Sequence, residues 1–214
     1  MFAVVIPTVG RESLKASLDS LEKQSLKDFS VVIVNDGDDL SLPSLTLPCT
    51  VLSGPRVGWP GPTRNVGIQW AKRNGFQWIA FLDDDDFFHP KYMEWLQAHV
   101  TRFPATDMLI FRARGLFDHI PPTFVIPPRQ TVLRAGLVTN SFAIRVGDIE
   151  YDEHHVDEDS NKNKYRHHGE DFRLIMDVVK RRKTVFISER VAYGTRMPID
   201  DVDVYPLVKV CTDV

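Results

Sequence analysis

Three short apolar runs, separated by segments with helical spacing, constrain the fold of this chain more than any other feature of its sequence. Phe2 to Ile6, Val31 to Val34 and Trp78 to Leu82 are each continuously apolar, which is typical of strands buried on both faces. Leucines recur at helical spacing between the first two runs, and Pro62 to Arg73 predicts a helix before the third. This alternation predicts an α/β fold, with a mostly parallel central sheet flanked by helices.

The rest of the chain repeats this alternation less regularly. Further elements are predicted at five places: strands at Thr50 to Leu52, Asp107 to Arg112 and Thr184 to Ile187, and helices at Pro90 to about His99 and Glu170 to Lys180. Gly115 to Arg129 is too rich in proline for regular structure, and Thr131 to Arg145 has strand-like stretches broken by Gly136. The polar run 147–168 is interpreted as a mobile loop.

Composition narrows the class of protein. A chain of 214 residues with 43% hydrophobic residues can bury one sizeable core, and a net charge of −3 argues against nucleic acid as a partner. No stretch approaches the roughly 18 apolar residues of a membrane span. The two cysteines, Cys49 and Cys211, are too few for a disulfide framework. We therefore expect a single domain in the cytoplasm.

Acidic residues follow two of the predicted strands directly. Asp83, Asp84, Asp85 and Asp86 come after the third apolar run, and Asp36 ends the second. In open α/β sheets ligands bind at the carboxyl ends of the strands, so both positions are those of a site. Adjacent carboxylates repel one another, and Mg²⁺ or Mn²⁺ relieves that repulsion with oxygen ligands. The alternatives are a solvated acidic turn for the cluster and a simple turn at Asp36.

Two helix starts are further candidates. Gly58 to Gly67 places a glycine-rich loop before a helix, which presents free N–H groups to an anion, and Arg64 adds a positive charge. Glu170 and Asp171 begin the last clear helix, where capping alone would explain them. Four histidines fall in the charged loop, where a solvated role is favoured over a metal role: His154, His155, His167 and His168.

The order of these motifs resembles one family, the inverting nucleotide-sugar glycosyltransferases of family 2 with the GT-A fold. Five segments resemble its motifs: VVIPT (4–8) its first strand, FSVVIVNDG (29–37) its second, TRNVGI (63–68) its R-N-x-G-I helix, FLDDDDFFHP (81–90) its D-x-D-D signature and GEDF (169–172) its late E-D motif. The resemblance covers residues 2–112 and 169 to about 187. The family usually has a small or variable residue where Asp84 stands, which leaves open whether Asp83 or Asp84 faces the ribose.

The resemblance implies roles for individual residues. Asp36 would accept a hydrogen bond from uracil N3, Thr8 and Arg64 would flank the base and ribose, and Asp171 would be the general base. The other implied roles are donor binding by Arg11, Asn65, Asp83 and Asp84, metal binding by Asp85, and secondary positions at Glu170 and His168. Residues 1–112 would then form the nucleotide-sugar-binding half and residues 113–214 the acceptor-side half of one domain.

The implied reaction is transfer of a sugar from a UDP-sugar, or a dTDP-sugar, to an acceptor hydroxyl of a glycan, with Mn²⁺ or Mg²⁺ as cofactor. Other classes share some of these motifs. A sugar-phosphate nucleotidyltransferase would need a glycine-rich basic loop after the first strand, where only Gly10 and Arg11 follow Thr8. A haloacid-dehalogenase-type phosphotransferase would have Thr or Val after its D-x-D motif, and that residue is absent here. A noncatalytic nucleotide-sugar-binding module would need no base at Asp171. The short length also suggests the first domain of a longer protein, and we hypothesise that it is the amino-terminal glycosyltransferase domain of a large virus of green algae.

Overall fold

The computed structural model describes residues 1–116, 121, 124–128, 133, 138–147, 149–151, 170–181, 183–199 and 204–210. Within them nine strands form one sheet: β1 (Phe2–Thr8), β2 (Phe29–Asn35), β3 (Cys49–Ser53), β4 (Trp78–Phe81), β5 (Phe87–Phe88), β6 (Met108–Gly115), β7 (Phe142–Arg145), β8 (Val185–Thr195) and β9 (Val208–Val210). The helices described are α1 (Leu14–Glu22), α2 (Pro60–Arg73), α3 (Tyr92–Arg102) and α4 (Glu170–Lys180). None of these helices is long and apolar enough to cross a membrane.

The sheet has a parallel half and a mixed half. The strand order is β3-β2-β1-β4-β7-β6-β8-β5, with β9 paired to β8. Strands β3, β2, β1 and β4 are parallel, with Val5 opposite Val32 in β2 and Phe81 in β4. Strand β7 is antiparallel to both β4 and β6, whereas β6 and β8 are parallel. The α/β class is therefore confirmed, and antiparallel pairs are concentrated in the second half of the chain.

All seven residues of strand β1 are buried, because the strand lies between β2 and β4 in the parallel half of the sheet. Its alternate side chains enter different cores: Val4 and Ile6 pack with residues of α1 and α3, whereas Ala3 and Val5 pack with residues of α2 and α4. The two-residue period of a strand thus places one pair of helices on each face. Gly67 lets α2 lie close to this strand, since a Cβ there would be 2.4 Å from Val5 Cγ1.

The structure extends some predicted elements and adds others. The predicted strand and helix positions are confirmed, with α4 at the predicted bounds and β8 running eight residues beyond Ile187 to Thr195. Strands β5 and β9 were not predicted, because two or three residues carry too little periodicity to recognise. The segment at 131–145 contains β7. The predicted loop 147–168 lies outside the described residues except for 147 and 149–151.

Candidate active site

A cleft opens where the parallel strands end. Its walls come from the ends of β1, β2 and β4, from the loop before α2 and from the first turn of that helix. The predicted site residues that line it are Thr8, Arg11, Asp36, Asp83, Asp84 and Asp85. Trp59 and Thr63 line it as well, and neither was predicted. The carboxyl edge of the sheet therefore brings together residues from three separate motifs, as expected for an open α/β sheet.

The second and fourth carboxylates of the acidic cluster are fixed by the protein itself. Asp84 is buried and accepts hydrogen bonds from Thr8 Oγ1 (2.7 Å) and Arg11 Nη1 (2.9 Å). Asp86 is also buried and accepts from the Tyr193 hydroxyl (2.7 Å) and the Arg196 backbone N–H (3.0 Å). Burial, followed by the charge of Asp83, raises the pKa of Asp86 well above its usual range. These two carboxylates anchor the cluster to β1 and β8.

Asp85 is the member of the cluster best suited to a cation. Its side chain is 36% exposed, and among the described residues its nearest cationic partner is Arg11 Nη1 at 3.9 Å. Partial burial and the neighbouring charges of Asp83 and Asp84 raise the pKa of Asp85. A divalent cation beside this carboxylate would relieve that repulsion.

The oxygen-only donor set fits Mg²⁺ or Mn²⁺. Within the described part of the chain, no three His, Cys, Asp or Glu side chains converge on one point. The described side chains alone therefore form no closed cage there. This agrees with the usual mode of Mg²⁺ in proteins, in which one or two carboxylates share the ion with substrate phosphates and water.

Arg64 connects the acidic cluster to α4. Its side chain is 1% exposed, and Nη2 donates to Asp83 Oδ1 at 2.6 Å while Nη1 donates to Glu170 Oε1 at 2.5 Å and Asp171 Oδ1 at 3.4 Å. A buried guanidinium needs such partners because an unpaired buried charge is strongly destabilising. The expected contact of Arg64 with the base and ribose stays a prediction. In the structure, the Arg64 guanidinium is paired with the carboxylates of Asp83, Glu170 and Asp171.

Asp171 lies at the start of α4. Arg64 stands between it and the acidic cluster, since one guanidinium nitrogen contacts Asp171 and the other contacts Asp83. Its side chain is 21% exposed, and its Oδ1 also accepts a hydrogen bond from the Tyr151 hydroxyl at 3.1 Å. Burial raises the pKa of Asp171 to about 6, against the opposing attraction of Arg64. A carboxyl with this pKa is ionised at neutral pH and still accepts a proton readily, which suits a general base.

Glu170 is held more tightly than its neighbour. Its side chain is 11% exposed, and burial also raises its pKa. A Cβ added to Gly61 would lie 2.9 Å from Glu170 Oε2, so this carboxylate packs closely against the start of α2. Of the two acidic residues at this helix start, Asp171 is the more accessible to a substrate.

Asp36 and Asn65 have local roles that motif reasoning did not foresee. Asp36 Oδ1 accepts from the Arg56 backbone N–H (2.5 Å) and Oδ2 from that of Gly58 (2.7 Å), which holds the loop before α2. Asn65 Nδ2 donates to the Tyr151 carbonyl (2.9 Å), and the Tyr151 N–H donates to Asn65 Oδ1 (2.7 Å). Donor contacts by Asp36 and Asn65 stay predictions.

The four candidate histidines lie outside the described residues, and two tyrosines of the site were not predicted from the sequence. His154, His155, His167 and His168 all lie outside the described residues. Tyr151 and Tyr193 were not predicted, although each donates a hydrogen bond to an acidic residue of the site. A lone tyrosine carries no motif, and both pairs join residues at least 20 positions apart in the sequence. Sequence spacing alone contains no signal for them.

Comparison with known proteins places the chain among glycosyltransferases. The family model described as "Glycosyl transferase family 2" matches residues 3–147. An uncharacterized glycosyltransferase of Haemophilus influenzae is 29% identical over 132 residues, which is 60% of this chain and 44% of that protein. The succinoglycan biosynthesis protein ExoW of Rhizobium meliloti is 32% identical over 112 residues, covering 48% and 34%. The chain thus spans less than half the length of these curated relatives.

Solved structures with the same fold include S. aureus TarS. The crystal structure of TarS residues 1–349 in complex with UDP has a TM-score of 0.68 at 20% identity, covering 90% of this chain and 59% of that one. The same fragment in complex with UDP-GlcNAc has a TM-score of 0.64 at 17% identity, covering 94% and 59%. At these identities the likeness shows the fold. The relatives named here are bacterial and do not support the hypothesis of an amino-terminal domain from a large virus of green algae.

Proposed function

The chain belongs to glycosyl transferase family 2, and on that premise we propose that it is a metal-dependent inverting glycosyltransferase. The donor would be a UDP-sugar, or a dTDP-sugar, and the acceptor a hydroxyl group of a glycan. One observation supports this proposal above the others: buried Arg64 joins Asp83, at the edge of the cleft, to Asp171, a carboxyl whose pKa is raised to about 6. A transferase needs a donor site and a base close to each other, and Arg64 contacts a carboxylate on each side.

The nucleotide is proposed to lie in the cleft between β1 and the start of α2. Asp36 lines this cleft. Each oxygen of the Asp36 carboxylate accepts one backbone N–H and keeps a lone pair for the N3–H of uracil. Trp59 lines the same cleft and offers an aromatic surface to a base. The TarS structures with UDP and with UDP-GlcNAc agree with this choice of nucleotide.

Asp85 is proposed to hold the Mn²⁺ or Mg²⁺, together with oxygens of the diphosphate. Once bound, the ion would supply positive charge against the negative charge that develops on UDP as the glycosidic bond to phosphate breaks. Arg11 lies beside Asp84 with its side chain 57% exposed, so it adds a second positive charge on this side of the cleft. Thr8 and Arg11 fix the Asp84 carboxylate, which keeps the acidic cluster rigid.

Asp171 is proposed to take the proton of the acceptor hydroxyl. As that oxygen bonds to the anomeric carbon, the bond from this carbon to the UDP oxygen breaks, and the proton passes to the Asp171 carboxylate. A single displacement of this kind inverts the anomeric configuration, and it requires the base and the leaving group on opposite sides of the sugar. Asp83 and Asp85 line the cleft proposed for the nucleotide, so they would lie on the diphosphate side and neither would act as the base.

The proposal is tested by incubating the protein with UDP-sugars and Mn²⁺ and measuring UDP release, with calorimetry of UDP and GDP in parallel. We expect UDP release with at least one UDP-sugar, tighter binding of UDP than of GDP, and loss of turnover in Asp171→Asn with retained UDP binding. Binding without turnover for any donor would support a noncatalytic module instead. Pyrophosphate release from UTP and a sugar 1-phosphate would identify a nucleotidyltransferase.

A further inference from the structure

Tyr151 is buried beside the proposed base and is fixed in place by contacts from two elements. The residue is 2% exposed, and its ring packs edge-on against Phe81 of β4, with ring centroids 5.7 Å apart at 88°. Its backbone N–H and carbonyl are both bonded to the Asn65 side chain of α2. Position and orientation of this tyrosine are therefore set by the core of the domain and not by the substrate.

The hydroxyl of Tyr151 contacts the Asp171 carboxylate, and its ring contacts the Arg64 guanidinium. The hydroxyl donates to Asp171 Oδ1 at 3.1 Å, and the Arg64 guanidinium lies over the ring, 5.2 Å from its centroid. Arg64 Nη1 also points to Asp171 Oδ1. Among the described residues, every hydrogen bond to Asp171 therefore falls on Oδ1, and Oδ2 is left for another partner.

We propose that Tyr151 is a positioning residue for the base: its hydroxyl holds Asp171 Oδ1, so that Oδ2 is the oxygen that takes the proton from the acceptor. This inference rests on the proposed role of Asp171 as general base. A hydroxyl that donates to a carboxylate favours its ionised form and fixes its rotation. A base whose free oxygen has a fixed direction needs no reorganisation when the acceptor arrives.

The surroundings of Asp171 explain why such a donor is needed. Among the described residues, the charged and titratable groups that face it are Arg64 from α2, Glu170 from its own helix, Asp83 just after β4 and Tyr151 itself. Burial and the two carboxylates favour protonated Asp171, whereas Arg64 and the tyrosine hydroxyl favour the ionised form. Burial also raises the pKa of Tyr151 well above its usual range, so the hydroxyl keeps its proton and remains a donor at any working pH.

The test compares wild type with Tyr151→Phe, which removes the hydroxyl and keeps the ring that packs on Phe81 and Arg64. The acid limb of the pH dependence of kcat should move up by about one pH unit, the size expected for one hydrogen bond to a charged group. At neutral pH the smaller ionised fraction alone should lower kcat about twofold, and loss of the fixed carboxylate orientation should bring the fall to about tenfold, while the KM for the donor stays within about twofold. Tyr92→Phe is the matched control, because the buried Tyr92 hydroxyl has no hydrogen-bond partner among the described residues. It should leave the acid limb where it is.

A second measurement separates this inference from the proposed function. The Asp171 carboxyl carbon is titrated by ¹³C NMR in wild type and in Tyr151→Phe, with Asp171→Asn used to assign the signal. A higher carboxyl pKa in Tyr151→Phe supports the contact whether or not turnover is found, and an unchanged value overturns it. If wild type turns over UDP-sugars and Tyr151→Phe shows the wild-type pH profile, the positioning role is wrong while the transferase proposal stands. If no UDP-sugar is turned over, the transferase proposal fails by itself.

Discussion

Asp171→Asn should separate activity from stability, because the features that suit Asp171 to its proposed role as base also destabilise the fold. Its pKa rises from 3.8 to about 6, and a difference of that size corresponds to about 3 kcal/mol between the two protonation states. The folded state holds the proton more tightly than the unfolded state. The free energy of unfolding should therefore fall as pH rises from about 4 to about 6, and the full loss should be present above that range.

Asparagine resembles the protonated carboxyl and never ionises. The free energy of unfolding of the variant should therefore not fall with pH through this group. We expect Asp171→Asn to match wild-type stability near pH 4 and to exceed it by up to about 3 kcal/mol above pH 7. Turnover should nevertheless fall by about 10² to 10⁴-fold, with little change in UDP affinity. In wild type about a tenth of Asp171 is ionised at pH 5 and about nine tenths at pH 7, so kcat should rise about tenfold between them.

The assays are urea unfolding of both proteins at pH 4.5, 6 and 7.5, and UDP release from the best donor over the same range. Glu170→Gln is the control, since Glu170 lies next to Asp171 and is also paired to Arg64. Its effect on turnover should be milder. A stability difference between wild type and Asp171→Asn that does not grow with pH would refute the electrostatic reasoning. Near-normal turnover in Asp171→Asn, or a product with retained anomeric configuration, would refute the assignment of the base.

Three further changes test other parts of the site. Asp85→Ala should abolish the Mn²⁺ dependence of UDP binding measured by calorimetry; if that dependence persists, Asp83 is the better ligand. Asp36→Ala should weaken UDP binding about tenfold or more, because the Arg56 and Gly58 N–H groups lose their acceptor and the loop before α2 is released. Gly67→Ala should destabilise the fold by about 1 to 3 kcal/mol in urea unfolding, since its new carbon would lie 2.4 Å from a Val5 methyl. Gly147→Ala, whose new carbon meets nothing within 4 Å, should be neutral.

The sequence predicts the parallel half of this fold well because each element there carries a full signal of its own. Strands β1, β2 and β4 are apolar on consecutive residues, and α2 begins at a proline-containing turn. The carboxyl ends of these strands then place Asp36 and the acidic cluster on one cleft. The antiparallel pairing of β7 with β4 and β6 was not predicted, because strand order depends on packing between distant segments and not on local periodicity.

The candidate site was predictable as a set of residues but not as a set of contacts. The motif around Arg64 suggested a surface charge for an anion, whereas the structure buries that side chain among three carboxylates. Its partners are 19, 106 and 107 positions away, so no spacing rule connects them. The bond from Tyr151 to Asp171 spans 20 residues and joins two elements that meet only through the core. Such contacts follow from the tertiary structure.

Because Arg64 and Glu170 are 106 positions apart, the ribosome makes the two parts of the site at different times. Every described residue that lines the cleft lies between Pro7 and Asp85, so these residues leave the ribosome before the proposed base does. At roughly 5 to 20 residues per second, α4 follows Arg64 by about 5 to 20 s. During that interval Arg64 has Asp83 as its one acidic partner from this set, and the proposed base has not been made. A donor bound before α4 is synthesised would therefore not be hydrolysed by Asp171.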